Sequence, residues 1–173
     1  MDKKNYTIFG GIDNGVTGTI AIVTPEERTF CKMPVYKTRS YTKEVKYITR
    51  INFPKLITLL EEVSSKGECL FYLERPMINP GRWVASMSAL RALEATVIAL
   101  EQCGIDFEYI DSKKWQRYFF PDKKGTNELK QASMFRGLEL FPEHDKLIRK
   151  HKDADALLIV QYLMEQQNNG KRK

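Results

Sequence analysis

Three carboxylates far apart in the chain carry the chemistry that this sequence offers. Asp13 stands in Gly10-Gly11-Ile12-Asp13-Asn14-Gly15, Glu74 in Tyr72-Leu73-Glu74-Arg75-Pro76, and Asp155 in His151-Lys152-Asp153-Ala154-Asp155-Ala156-Leu157-Leu158. Two carboxylates about 4 Å apart repel by roughly 4 kcal/mol at an effective dielectric near 20. A cluster of them calls for a cation, a proton or a basic neighbour. Mg²⁺ takes such hard oxygen ligands and keeps several waters. Two such ions about 3.5–4 Å apart can activate water and stabilise the leaving oxygen of a phosphodiester. Each acid also has an ordinary alternative. Asp13 could be a turn residue, Glu74 a partner of Arg75, and Asp155 a first-turn acid complementing its helix dipole.

The elements that must position these acids can be read from the chain. Thr7 to Asp13, Gly18 to Val23 and Arg28 to Met33 read as three strands of an antiparallel meander. Alternation puts Thr7, Phe9, Gly11 and Asp13 on one face. The glycines around Asp13 leave room for a metal and a phosphate backbone. Pro34 to Asn52 is polar, basic and tyrosine-rich, and reads as an exposed loop. Phe53 to Val63 has helical spacing with Pro54 at its start. Cys69 to Leu73 suits a buried strand closed by Glu74, after which Pro76 turns the chain away. If the strands of Asp13 and Glu74 are neighbours, the two acids meet at one end of a sheet.

Trp83 to Cys103 is a long apolar helix stopped by Gly104. Phe107 to Ile110 is another strand, Asp111 opens a short helix containing Trp115, and Thr126 to Leu140 is a helix. The last helix starts near His151 or Lys152 and ends near Gln166. His151 then lies about 40° from Asp155 around the helix axis and Asp153 roughly 200° away, so His151 rather than Asp153 shares its face. The order predicts an α/β fold: a five-stranded mixed sheet, three antiparallel strands then two parallel, with helices on both faces. Residues 1–167 read as one domain and 168–173 as a basic tail.

The 173 residues carry a net charge of +6, which favours an acidic partner such as nucleic acid or an anionic membrane surface. The N-terminus lacks the apolar region of a secretory signal, and no uninterrupted apolar run of about 18 residues points to a membrane span. Cys31, Cys69 and Cys103 have neither zinc-site nor disulfide-framework spacing, and Cys69 and Cys103 read as buried, reduced thiols. A location in cytoplasm or nucleoid, with an organelle stroma or matrix as second choice, fits these features.

Gly11-Ile12-Asp13-Asn14-Gly15-Val16-Thr17-Gly18, Leu73-Glu74-Arg75-Pro76 and Asp155-Ala156-Leu157-Leu158-Ile159 together resemble the three acidic motifs of RuvC-type Holliday junction resolvases. The match runs in order along nearly the whole chain. Trp115-Gln116, Lys130, Ser133 and Leu140-Phe141-Pro142 are most similar to the phage and plant-organelle branch. The resemblance implies an RNase H-like fold and a catalytic and metal-binding set of Asp13, Glu74, His151 and Asp155. It implies Mg²⁺ or Mn²⁺, two ions per site, with no small-molecule cofactor. It also implies a homodimer that cuts four-way DNA by paired, symmetric nicks leaving 5′-phosphate and 3′-hydroxyl ends. His151 would assist either a metal or the attacking water. Lys152, three residues before Asp155, departs from the family pattern.

A polyanion needs a basic surface. Between residues 28 and 50, seven basic residues face the single acid Glu44, a surplus equal to the net charge of the whole chain. Arg28, Lys32, Lys37, Arg39 and Lys43, interleaved with Tyr36 and Tyr41, read as a phosphate-tracking surface with stacking tyrosines. Lys114, Lys130 and Lys150 extend it. Arg82 and Trp83 would enter the junction centre, although Trp83 could equally be a core residue opening the long helix. One side of that helix should pack on the sheet, and another could form a dimer interface. Two other readings stand beside the resolvase. One is a related nuclease acting on RNA–DNA hybrid or structured RNA, the other a non-catalytic junction-binding module. The Asp-x-Gly-x-Thr-Gly segment also occurs in actin-like and sugar-kinase folds, which need two such domains where this chain supplies one.

Overall fold

The computed structural model describes residues 4–41 and 47–171. Lys43, one of the expected nucleic-acid contacts, lies outside them. The main sheet contains β1 (Ile8–Ile12), β2 (Thr19–Val23), β3 (Arg28–Lys32), β6 (Cys69–Glu74) and β7 (Asp106–Ile110), in the order β3-β2-β1-β6-β7. The first three form the expected antiparallel meander, whereas β6 and β7 run parallel to β1. Ile12 pairs with Leu73, so Asp13 and Glu74 each sit one residue past a paired position on adjacent strands.

Alternation divides the sheet between two cores. Ile20, Ile22, Phe71 and Leu73 face α1 (Phe53–Ser64) and α2 (Trp83–Gln102), with Leu56, Leu60, Ala99 and Leu100 packed among them. Ala21, Val23, Leu70 and Tyr72 face α6 (Asp155–Lys171). Five consecutive residues, Ala156 to Val160, are fully buried there. A helix apolar on all sides belongs in such a place. Three further helices close this face: α3 (Ser112–Phe119), α4 (Thr126–Leu140) and α5 (Asp145–His151). The Asn52 side chain caps α1, accepting from the Lys55 amide at 3.3 Å, with Pro54 in its first turn. At the end of α2, Gly104 takes φ +65° while its amide and that of Ile105 close back on Glu101 and Leu100, a Schellman ending.

Three features differ from the sequence reading, and a fourth bears on it. The expected loop from Pro34 to Asn52 contains a hairpin, β4 (Val35–Arg39) paired with β5 (Tyr47–Ile51). Its β-branched and aromatic residues favour extended backbone despite their interleaved charges. By length and composition Pro80–Gln102 could cross a membrane, although Arg91 and Glu94 interrupt it, so the absence of an uninterrupted apolar run stands. In the fold, its Ala92, Ala99 and Leu100 are buried in the core. The last helix continues through Lys171 rather than ending near Gln166, because no proline or terminal cap interrupts Gln166 to Asn169. Finally, the last helix does not start at His151. Helix α5 ends there, and Lys152 adopts a left-handed conformation with φ +53°.

Candidate metal centre

The two glycines before Asp13 serve packing, contrary to the expectation that they make room for a metal and phosphate. A Cβ at Gly10 would sit 2.4 Å from the Phe71 ring, on the α2 side. On the other side, a Cβ at Gly11 would sit 2.4 Å from the Ala156 carbonyl oxygen. The backbone of α6 therefore lies directly on β1, and its first residue, Asp155, comes beside Asp13. Gly137 does the same for α4: a Cβ there would meet that of Ala154 at 2.3 Å. These approaches bring α4 and the Asp153-Ala154-Asp155 segment to the end of β1. Gly15, at φ +139° with no atom crowding it, is the glycine there required by backbone conformation.

One oxygen from each of Asp13, Asp153 and Asp155 lies within 4.8 Å of the others. The helical-face argument that set Asp153 aside fails, because Lys152 breaks the helix between His151 and Asp155. Across that break, Asp153 accepts a hydrogen bond from the Asp155 amide at 2.7 Å, an Asx turn that satisfies the first amide of α6 while joining the cluster. His151 instead sets its ring edge-on to Phe30, with centroids 5.8 Å apart. Its Nδ1 is buried and unpartnered. Burial, Lys32 and Lys150 hold the imidazole below its ordinary pKa, opposed by the charge of Asp153. Glu74 stands beside the three aspartates and accepts from Trp115 Nε1 at 2.8 Å. Ser133, buried on α4, donates to Asp155 Oδ1.

Crowded, half-buried carboxylates resist ionisation. Asp13 is pushed well above the usual carboxylate range by burial and by Glu74, Asp153 and Asp155, with Lys130 opposing. Burial raises Glu74 to about 7; the Trp115 hydrogen bond opposes it, while Asp155 and Asp153 add to it. Asp155 also rises to about 7, through burial and Asp153, against Ser133 and Lys130. Asp153 is raised by burial, with its bond to the Asp155 amide and the charge of Lys130 opposing. Hard oxygen donors this close, each destabilised as an anion, form a donor set suited to a divalent cation. Glu74, Asp155, Lys113 and Lys130 line a common cleft of about 440 Å³ that opens this cluster to solvent.

The remaining expected residues disperse. Lys114 borders a second cleft with Arg75, Lys113 and Arg117. Lys32 and Lys150 lie within electrostatic range of His151, and Lys32 of Asp153 as well. Arg28 is engaged with Glu143 at 3.3 Å and lies over the Phe141 ring. Tyr36, Lys37 and Arg39 occupy β4, with Tyr41 highly exposed beyond it. Arg82 and Trp83 lie where the short helix Pro80–Arg82 meets α2, and Trp83 is 67% exposed, which removes its reading as a core residue. Sequence reasoning missed Asp153 as a cluster member and the hydrogen bonds made by Trp115 and Ser133. A signal for Asp153 is present in the sequence, since aspartate favours the turns that lead into a helix and Asp153 closely precedes the apolar run.

No family model and no curated protein matches the chain. Among solved structures it is similar to Thermus thermophilus RuvC in complex with a Holliday junction substrate, at 14% identity and a TM-score of 0.49, over 90% of each chain. It is also similar to a structure of Thermus thermophilus RuvC, at 15% identity and a TM-score of 0.48, over 88% of this chain and 90% of that one.

Proposed function

We propose that this protein is a divalent-metal-dependent endonuclease that resolves four-way DNA junctions. The observation that carries the reading is the meeting of Asp13, Asp153 and Asp155 within 4.8 Å, with Glu74 beside them, in a protein of net charge +6. The likeness of its three acidic motifs to RuvC-type resolvases supplies the branched substrate. Asp13, Asp153, Asp155 and Glu74 would hold Mg²⁺ or Mn²⁺, as one or two ions. Bound there, the metal would activate water and stabilise the leaving oxygen of the phosphodiester.

The chain's own groups prepare the site. Ser133 and Trp115 fix one oxygen each of Asp155 and Glu74, so these carboxylates are oriented before a substrate arrives. Lys130 favours ionisation of all three aspartates. Lys113 and Lys130, both lining the cleft, would hold the phosphates flanking the scissile bond. Lys114 would extend that contact along the strand. His151, held below its ordinary pKa, favours ionisation of Asp153 only in its charged form, at acid pH. Two copies would act together on opposite strands, leaving 5′-phosphate and 3′-hydroxyl ends. The exposed Val84, Leu90 and Ile98 of α2 offer an apolar face for that pairing.

The test is cleavage of a labelled mobile four-way junction with Mg²⁺, beside linear duplex, flap and RNA–DNA hybrid. Paired nicks in the junction that vanish in Asp13→Asn, with junction binding retained, support the proposal. Preferential cleavage of the hybrid would move the substrate to RNA–DNA, and unchanged cleavage by Asp13→Asn would overturn the site.

A further inference from the structure

A groove of about 560 Å³ lies between the β4–β5 hairpin and α2. Tyr36 and Arg50 of the hairpin face Ser88, Arg91 and Ala95 of the helix across it, and Val16 reaches its edge from the loop that begins at Asp13. Asn14 ties that loop to α2, donating to the Ala89 carbonyl at 3.2 Å. Among the described residues, buried Arg91 Nε has no hydrogen-bond partner, nor has Asn14 Oδ1. A buried guanidinium donor left unpaired is costly. Among the described residues no carboxylate lines the groove and neither arginine has an ion-pair partner. The cavity is therefore cationic, is walled partly by aromatic and aliphatic carbon, and has the size of small-molecule sites.

We propose that this groove binds a nucleotide, its phosphate on the Arg50 and Arg91 guanidiniums and its base against Tyr36. Guanidinium forks match phosphate oxygens in pairs, and an aromatic ring offers a base a stacking partner. The same chemistry can come from a free mononucleotide or from an unpaired residue of the strand held at the acidic cluster. In the second case the proposal rests on the nuclease reading.

The probe is dTMP, titrated by calorimetry into the metal-free protein, with thymidine and inorganic phosphate as controls. Saturable binding of dTMP, at least tenfold weaker for either control, is expected. Arg91→Gln should weaken it at least tenfold. Should that variant misfold, Arg50→Gln on the exposed hairpin makes the same test. No saturable binding, or binding unchanged in both variants, overturns the proposal. Junction nicking then separates the sources. A raised KM with kcat unchanged in Arg91→Gln assigns the groove to a residue of the strand. Unaltered nicking assigns it to a free nucleotide. Binding of dTMP by a protein that nicks nothing leaves the groove standing while the nuclease reading falls.

Discussion

Gly11 lies so close beneath Ala156 that a Cβ on the glycine would stand 2.4 Å from the alanine's carbonyl oxygen. This approach lays α6 on β1 and brings Asp155 beside Asp13. Because the opposing atoms are backbone, an alanine at Gly11 can be accommodated only by moving the helix. Gly11→Ala should cost about 1–3 kcal/mol through overpacking, a melting shift of roughly 2–4 °C per kcal/mol for a chain of this size. Nicking should fall further than stability, because the same displacement separates two acids. Gly10→Ala is the control, since it meets the Phe71 ring on the opposite face. It should lower the melting temperature while leaving most nicking activity well below that temperature.

The raised carboxylates set a pH dependence with a definite sign. Glu74 and Asp155 titrate near 7 in the folded chain, above their unfolded values. Their contribution to stability is thus fully present below the unfolded pKa values and is lost as pH rises through about 7. In chelator, the melting temperature should fall between pH 6.5 and about 8. Mg²⁺ should raise it more at the upper end, where the cluster is ionised and repelling itself. His151 has the opposite sign, but its effect belongs below the ordinary histidine value of 6.5. Asp106, lowered by its bond from Lys4, and Glu128, lowered by the Lys124 amide, act in the acid range. A melting temperature that is flat or rising across this window would contradict the packing of the four acids.

Trp83 provides a test of the proposed DNA contact separate from stability. Its side chain opens α2 at 67% exposure, with Val84 equally free beside it. Removing an exposed ring away from the core should change stability by no more than about 0.5 kcal/mol. If Trp83 stacks at a junction centre, Trp83→Ala should weaken junction binding about 5- to 150-fold, the loss of one base–aromatic stack, with duplex binding little changed. Equal losses on junction and duplex would assign the residue to general contact.

Much of the sheet could be read in advance because period-two alternation is local. Phe9, Gly11 and Asp13 share a face wherever β1 pairs, and Leu70, Tyr72 and Glu74 follow the same rule on β6. The hairpin is not legible in the sequence because Tyr36, Lys37, Arg39, Tyr47 and Arg50 signal solvent exposure, and exposure does not distinguish a loop from an unburied ribbon. Asp153 was misplaced for a different reason. Helical phase holds only within an unbroken helix, and the break depends on one left-handed residue, Lys152. A lysine gives no warning of that conformation as a glycine would. The contacts of Gly11 with α6 and of Gly137 with Ala154 are tertiary, so local sequence showed small residues without showing what they admit.

Asp153 combines two roles that substitution can separate. Its carboxylate holds the turn into α6 by accepting from the Asp155 amide at 2.7 Å, and it contributes an oxygen to the acidic cluster. Asn makes the same turn as Asp but carries no charge. Asp153→Asn should therefore keep or slightly raise the metal-free melting temperature by relieving repulsion, while sharply weakening the Mg²⁺-induced rise and nicking. Asp153→Ala should lose that hydrogen bond as well, at about 0.5–1.5 kcal/mol. His151→Gln should retain most of the Mg²⁺-induced rise, since His151 packs on Phe30 and the three clustered oxygens are aspartates. If His151→Gln instead abolished that rise and Asp153→Asn preserved it, the ligand set would return to the one read from helical phase.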